Sequence, residues 1–288
     1  MRTSTLPVGA LGEPIKGPTA LGSSPERLLR LTWALAVTDF RLRFFGSALG
    51  YLWSLMQPLM LFAVLYTVFS VLLDFSGAER FYPVALLLGI VCFSFLGEAT
   101  NGAVRSLVSR ENLVRKIEFP RLAVPLATVL TACFNLGLNL IPVALFLLAS
   151  GGRPRWTWLE LPVLLLMLMV LATGIAMLLS ALFVRYRDIE PIWTVCLQIM
   201  FYATPIFYTV SVVRAEANDT VVRLMMFNPF AAILQQARYA FVDPSHASLV
   251  DAMGGVAWTL VPFAVTVVIV WTGFVVFSRA APRVAEEL

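Results

Sequence analysis

Apolar residues gather into six runs, near 50–73, 82–100, 122–148, 159–183, 191–208 and 256–278, separated by polar or basic stretches. Each is close to the length of about 20 residues that carries a helix across the hydrocarbon core of a bilayer. Backbone in lipid must satisfy its hydrogen bonds within the segment, so each run predicts a membrane-spanning helix. The fifth is the shortest and holds Pro205 near its end. The pattern predicts an all-α integral membrane protein with six spans in a single unit, residues 24–288.

Upstream, residues 1–23 are rich in Pro, Gly, Ser and Thr and read as a disordered tail. The stretch GEPIKGPT at 12–19 looks like a phosphate loop, but Pro18 stands where the lysine must be, so ATP is not bound this way. Ser24, Pro25 and Glu26 are start signals for a helix over 25–45. At 100° per residue, Arg27, Arg30 and Arg41 fall on one stripe, with Leu29, Trp33, Val37, Phe40 and Phe44 on an apolar face. Such a helix lies in the membrane interface.

Two inter-span segments stand out. Residues 105–125, RSLVSRENLVRKIEFPRLAVP, carry five positive charges against Glu111 and Glu118. Each Arg or Lys at bilayer depth costs roughly 3 kcal/mol, so the segment is expected in water or at the interface. The other segment joins the fifth and sixth spans. Its apolar piece NPFAAILQQARYAFV at 228–242 is short for a span and carries Gln235, Gln236 and Arg238, which predicts a re-entrant or interfacial helix pair.

Composition sharpens this picture. The chain is 59% hydrophobic and only 13% charged, where soluble domains carry about 25%. With the N-terminus inside, only Arg80, Arg153, Arg155, Arg214, Arg223 and Arg238 of the 21 Lys and Arg fall on the outer side. That bias places both termini in the cytoplasm and accounts for the net charge of +4 without a nucleic-acid partner. Cys92, Cys133 and Cys196 sit in apolar runs without paired spacing, so neither a disulfide framework nor a metal site is indicated.

Chemistry is sparse. The runs are almost free of ionisable residues, Glu98 being the main exception, which argues against a proton relay. The inner loops offer Glu111, Glu118, Asp188 and Glu190 without metal-ligand spacing, which argues against a membrane-embedded enzyme. What the spans carry is amides and rings. Asn135 and Asn139 form a polar stripe on the third span, and Gln57 precedes Pro58 in the first. Phe62, Tyr66 and Phe69 share a face of the first span, while Phe201, Tyr202, Phe207 and Tyr208 cluster toward the end of the fifth. These groups suit interhelical packing or contact with a passing sugar face.

The stretches VTDFRLRFFGSALGYLWSLMQPL at 37–59, ENLVRKIEFPRLAVPLA at 111–127, FVRYRDIEPI at 183–192 and FNPFAAILQQARYAF at 227–241 resemble the permease subunits of ABC transporters that export polysaccharides, O-antigens and teichoic acids. The resemblance implies a homodimer in the bacterial inner (plasma) membrane, joined to two copies of a cytoplasmic ATP-binding subunit that holds ATP and Mg, with no cofactor in this chain. It implies a lipid-linked glycan as cargo, used in lipopolysaccharide or cell-wall biogenesis; a drug or small lipid is the alternative. A coupling helix carries over to 109–120, with Arg110, Glu111, Asn112, Arg115, Lys116, Phe119 and Pro120 as contacts. Arg27, Arg30, Trp33 and Arg41 match the interface helix, and Arg185, Arg187 and Asp188 the inner loop before the fifth span. Tyr51, Trp53, Phe62, Tyr66, Phe201 and Tyr202 lie on spans that line the channel in such permeases.

Overall fold

The computed structural model describes residues 24–44, 50–72, 81–114 and 119–282; the expected tail at 1–23, and Arg115 and Lys116, lie outside them. The described residues are all-helical and include five helices long and apolar enough to cross a membrane.

Helix α1 (Pro25–Phe44) starts where the capping signals place it, with Ser24 Oγ accepting from the Arg27 N–H at 3.2 Å. Leu28, Thr32 and Ala36, spaced by four, are its buried face. They rest on α6 (Ala123–Ala149), where Thr131 Oγ1 donates to the Ala36 carbonyl at 3.3 Å. Leu29, Trp33, Arg27, Arg30 and Arg41 are exposed.

Helix α2 (Gly50–Tyr66) runs on through a π-helical turn, Thr67–Leu72, and is the least buried of the five long helices, with 6% of its apolar window buried. The helix α3 (Tyr82–Val104) is its opposite, with 72% buried. Leu86, Leu88, Leu96 and Ala99 are wholly enclosed, and α3 packs against α2, α6, α7 (Glu160–Arg185) and α8 (Ile189–Ala203). A helix that is apolar all round belongs at the centre of a bundle.

After α3 the chain turns at Arg105 into two single-turn helices, α4 (Ser106–Ser109) and α5 (Glu111–Val114). They join α1, the start of α6 and the ends of α7 and α13 (Val256–Ala280) in a second apolar cluster at what we term the basic end. Helices α7 and α13 form the most extensive helix contact, made possible by Gly174 and Gly273. A Cβ on Gly273 would lie 2.2 Å from the Gly174 carbonyl oxygen, so the two backbones touch directly.

Two expectations change in the structure. The fifth expected span, 191–208, becomes the 15-residue α8, which stops at Ala203. Thr204 is extended (φ −93°, ψ 142°), as the steric demand of Pro205 on its predecessor requires, although the apolar run continues through Ile206 and Phe207. In place of a helix pair, the segment before α13 forms four short helices: α9 (Val210–Glu216), α10 (Asp219–Met226), α11 (Pro229–Ala237) and α12 (Leu249–Met253). They cap the opposite end of the bundle, which we term the cap end. Of these, α11 is buried among the spans and ends in a π-helical turn, Arg238–Val242.

Candidate functional site

Four helices bring polar side chains to one open cavity of about 590 Å³ on the side of the apolar bundle. Each does so at helical spacing: Ser54 and Gln57 from α2; Ser94, Glu98 and Asn101 from α3; Asn135 and Asn139 from α6; Thr194, Gln198 and Tyr202 from α8. Phe93 and Phe201 supply ring walls, their centroids 5.1 Å apart and edge to face. One stripe per helix suffices, because residues three or four apart stack on the same face.

The charge at this site is balanced within it. Glu98 accepts from the Arg43 guanidinium at the end of α1 and from the Asn135 amide of α6. Either ion alone at bilayer depth would be costly, and the pair with its extra amide bond makes the cavity net neutral. Asn139 Nδ2 donates to the Asn135 carbonyl at 2.9 Å, which holds the α6 stripe in register. A neutral cavity lined by amides, hydroxyls and rings offers many weak hydrogen bonds and apolar platforms, the lining expected for a polyhydroxylated molecule.

The ring candidates divide. Phe201 and Tyr202 line the cavity. Phe62 stacks on Tyr66 at 5.7 Å and meets Phe146 edge-on, away from the lining, and Trp53 is exposed on the open face of α2. The Tyr51 side chain lies outside the described residues. Above the cavity a ring cluster of Phe69, Phe201, Tyr202, Phe207 and Tyr208 joins the π-helical turn after α2 to the end of α8.

The basic end is laced by ion pairs that span long sequence separations. Arg110 pairs with Asp39 of α1, and Arg105 Nε lies 2.6 Å from Glu190 of α8. Arg110 is therefore turned inward rather than presented outward. Phe119 is buried in the apolar cluster of this end and Pro120 is buried next to it in the chain, so they shape the segment from within, while Asn112 is exposed. Arg121 is almost fully enclosed, with Nε 3.4 Å from the Val114 carbonyl, although its charge read as water-facing in the sequence. Arg185, Arg187 and Asp188 are exposed between α7 and α8, with Arg187 over the Phe183 ring at 5.0 Å.

Residues 30–242 match the family described as ABC-2 type transporter. The chain is similar to an O-antigen export system permease protein, RfbA, from Myxococcus xanthus, at 24% identity over 88% of this chain and 94% of the relative. The RfbA protein of Klebsiella pneumoniae is 24% identical over 87% of this chain and 92% of its own length. The polysialic acid transport protein KpsM of Escherichia coli is 21% identical over 75% and 82%.

Proposed function

Because the chain belongs to the ABC-2 type transporter family, we propose that it is the membrane-spanning subunit of an ATP-driven exporter that moves a lipid-linked polysaccharide out of the cytoplasm. An O-antigen, teichoic-acid or galactan-like glycan is the cargo class. The observation that carries this reading is the net-neutral cavity lined by amides, hydroxyls and rings, opening between α2 and α8. Sugar hydroxyls exchange hydrogen bonds with Gln57, Asn101, Asn139 and Gln198, and the apolar face of a sugar lies against Phe201 or Tyr202. Each contact is weak, so a polymer can advance through them. A drug or small lipid, the alternative cargo, gives less reason for so many hydrogen-bonding groups. The names carried by the three relatives favour the glycan.

The exposed apolar faces of α2 and α8 support a homodimer in which these helices border a shared channel. The basic end faces the cytoplasm by the positive-inside rule, in a bacterial inner membrane. There the segment 105–120 receives the movement of two ATP-binding subunits, which bind ATP and Mg. Its ion pairs to Asp39 and Glu190 carry that movement to α1 and α8. A ligand shifts such a two-state element only by its differential affinity for the states.

The test is conditional depletion of this subunit, followed by feeding of labelled sugar and extraction of lipid-linked saccharides. Accumulation of long lipid-linked glycan inside the cell is the expected result. Absence of accumulation, with glycan still reaching the surface, overturns the polysaccharide reading.

A further inference from the structure

A second cavity, of about 340 Å³, lies at the cap end, away from the site above. It falls within the few hundred Å³ usual for small-ligand sites. Arg214, Arg238, His246, Ser211, Thr209 and Gln235 line it. This lining is rich in hydrogen-bond donors, where the first cavity mixes amides with rings.

Its construction is fixed from three sides. Arg238 is 2% exposed, and its Nη2 donates to the Ile206 carbonyl at 2.6 Å, holding the guanidinium against the extended link after α8. Arg214 Nη2 reaches the Asp251 carbonyl at 3.1 Å and its Nε pairs with Asp219 at 2.7 Å. Thr209 and Ser211 share a hydroxyl hydrogen bond of 2.7 Å. Asp251 also borders the cavity, but its carboxylate is engaged by the Ser248 N–H and hydroxyl in a capping box. Asp219 balances Arg214 and Ser248 holds Asp251, so the Arg238 guanidinium, held by carbonyls, is the remaining bordering charge.

Gln235 supplies an independent pointer. It is 2% exposed, its Nε2 donates to the Ala247 carbonyl at 2.6 Å, and its Oε1 has no hydrogen-bond partner among the described residues. A buried acceptor without a donor is costly, and a ligand hydroxyl would satisfy it. The level of the cavity matters too. Trp156 and Trp258, at the cap ends of the α7 and α13 spans, are exposed, as interfacial tryptophans are, so the cap end begins at headgroup depth.

We propose that this cavity binds a phosphodiester headgroup bearing hydroxyls, with Arg214, Arg238 and Ser211 on the phosphate and Gln235 accepting from a hydroxyl. Two sources share that chemistry: an anionic phospholipid of the surrounding leaflet and the phosphate-bearing end of a lipid-linked cargo. The site does not depend on which cargo is exported, and its test reads lipid binding rather than transport.

The full chain, with any subunits that co-purify, is reconstituted into nanodiscs of equal parts phosphatidylglycerol and phosphatidylcholine and released into a native mass spectrometer. Wild type is expected to retain phosphatidylglycerol in excess. Arg214→Gln should cut that excess about fivefold, the loss of one charge-assisted hydrogen bond at a half-exposed site. Ser211→Ala, which removes one exposed hydroxyl, should cut it measurably, whereas Arg27→Gln on the exposed stripe of α1 should leave the cap-end lipid in place. Equal retention of both lipids by wild type, or undiminished retention in Arg214→Gln and Ser211→Ala, overturns the proposal. A polyisoprenyl phosphosugar, a phosphodiester that bears hydroxyls, added in competition separates the sources: displacement of phosphatidylglycerol assigns the site to the cargo's lipid end, and an undisturbed lipid assigns it to the membrane.

Discussion

Substitution of Gly273 by alanine tests the α7–α13 crossing directly. The new Cβ would sit 2.2 Å from the Gly174 carbonyl oxygen, and such contacts essentially never fall below 3.0 Å, so the helices must part by at least about 0.8 Å. The obstacle is backbone, not the tip of a flexible side chain, so no rotamer change relieves it. A gap of that size forfeits a quarter to a half of the dispersion energy of each contact it opens, and overpacking of this kind costs about 1–3 kcal/mol. With about 2–4 °C per kcal/mol for a chain of this size, Gly273→Ala should melt roughly 2–12 °C below wild type. The assay is thermal unfolding in detergent, followed by intrinsic tryptophan fluorescence. Gly137→Ala is the control, because nothing lies within 4 Å of its Cβ position; there alanine should be neutral or stabilise the helix by up to about 1 kcal/mol. If Gly273→Ala melts with wild type, the crossing is not the contact that holds α13 to the bundle.

Two further outcomes follow from ion pairs. Arg105→Glu places like charges beside Glu190 and should slow glycan export, and the exchanged pair Arg105→Glu with Glu190→Arg should recover at least about half of the lost rate; a double variant no better than the worse single would remove this contact from the coupling route. At the cap end, burial pushes the Asp243 carboxyl up, but the Ser245 N–H at 2.9 Å and Arg155 at 3.1 Å outweigh it and hold the group below the usual carboxylate range. A lowered value means stability present above the ordinary aspartate pKa of about 3.9 and lost as pH falls through the folded value. The melting difference between wild type and Asp243→Asn should therefore be constant above about pH 5 and shrink below about pH 4; a difference unchanged down to pH 3 would refute the assignment.

Hydropathy located the long helices because length and apolarity are all that a span requires. Bounds expected at 82–100, 122–148, 159–183 and 256–278 correspond to Tyr82–Val104, Ala123–Ala149, Glu160–Arg185 and Val256–Ala280. The fifth run misled because Ile206 and Phe207 extend its apolarity past the point where Pro205 ends the helix. At the cavity, Gln57, Asn135 and Asn139 were visible as amides in apolar runs, but their convergence with Ser94, Asn101, Thr194 and Gln198 is tertiary. Nothing local joins Arg43 to Glu98, 55 residues apart, or Arg110 to Asp39. Arg121 and Arg238 were the least legible, because a charge reads as surface unless carbonyls such as those of Val114 and Ile206 are known to surround it.

The contrast between α3 and α2 sets where this protein can afford to move. Displacing α3 would tear contacts from every neighbour at once, whereas α2, with 6% of its window buried, slides against few partners and gives up little. Amide exchange should mirror this, slowest along α3 and faster at the ends of α2, since opening free energy tracks local contact density. In the proposed channel, a wall made from the least buried of the five long helices, hung beside the most buried one, behaves like a leaf on a post: wide excursions of the leaf leave the post, and the ion pair fastened to it at Glu98, undisturbed.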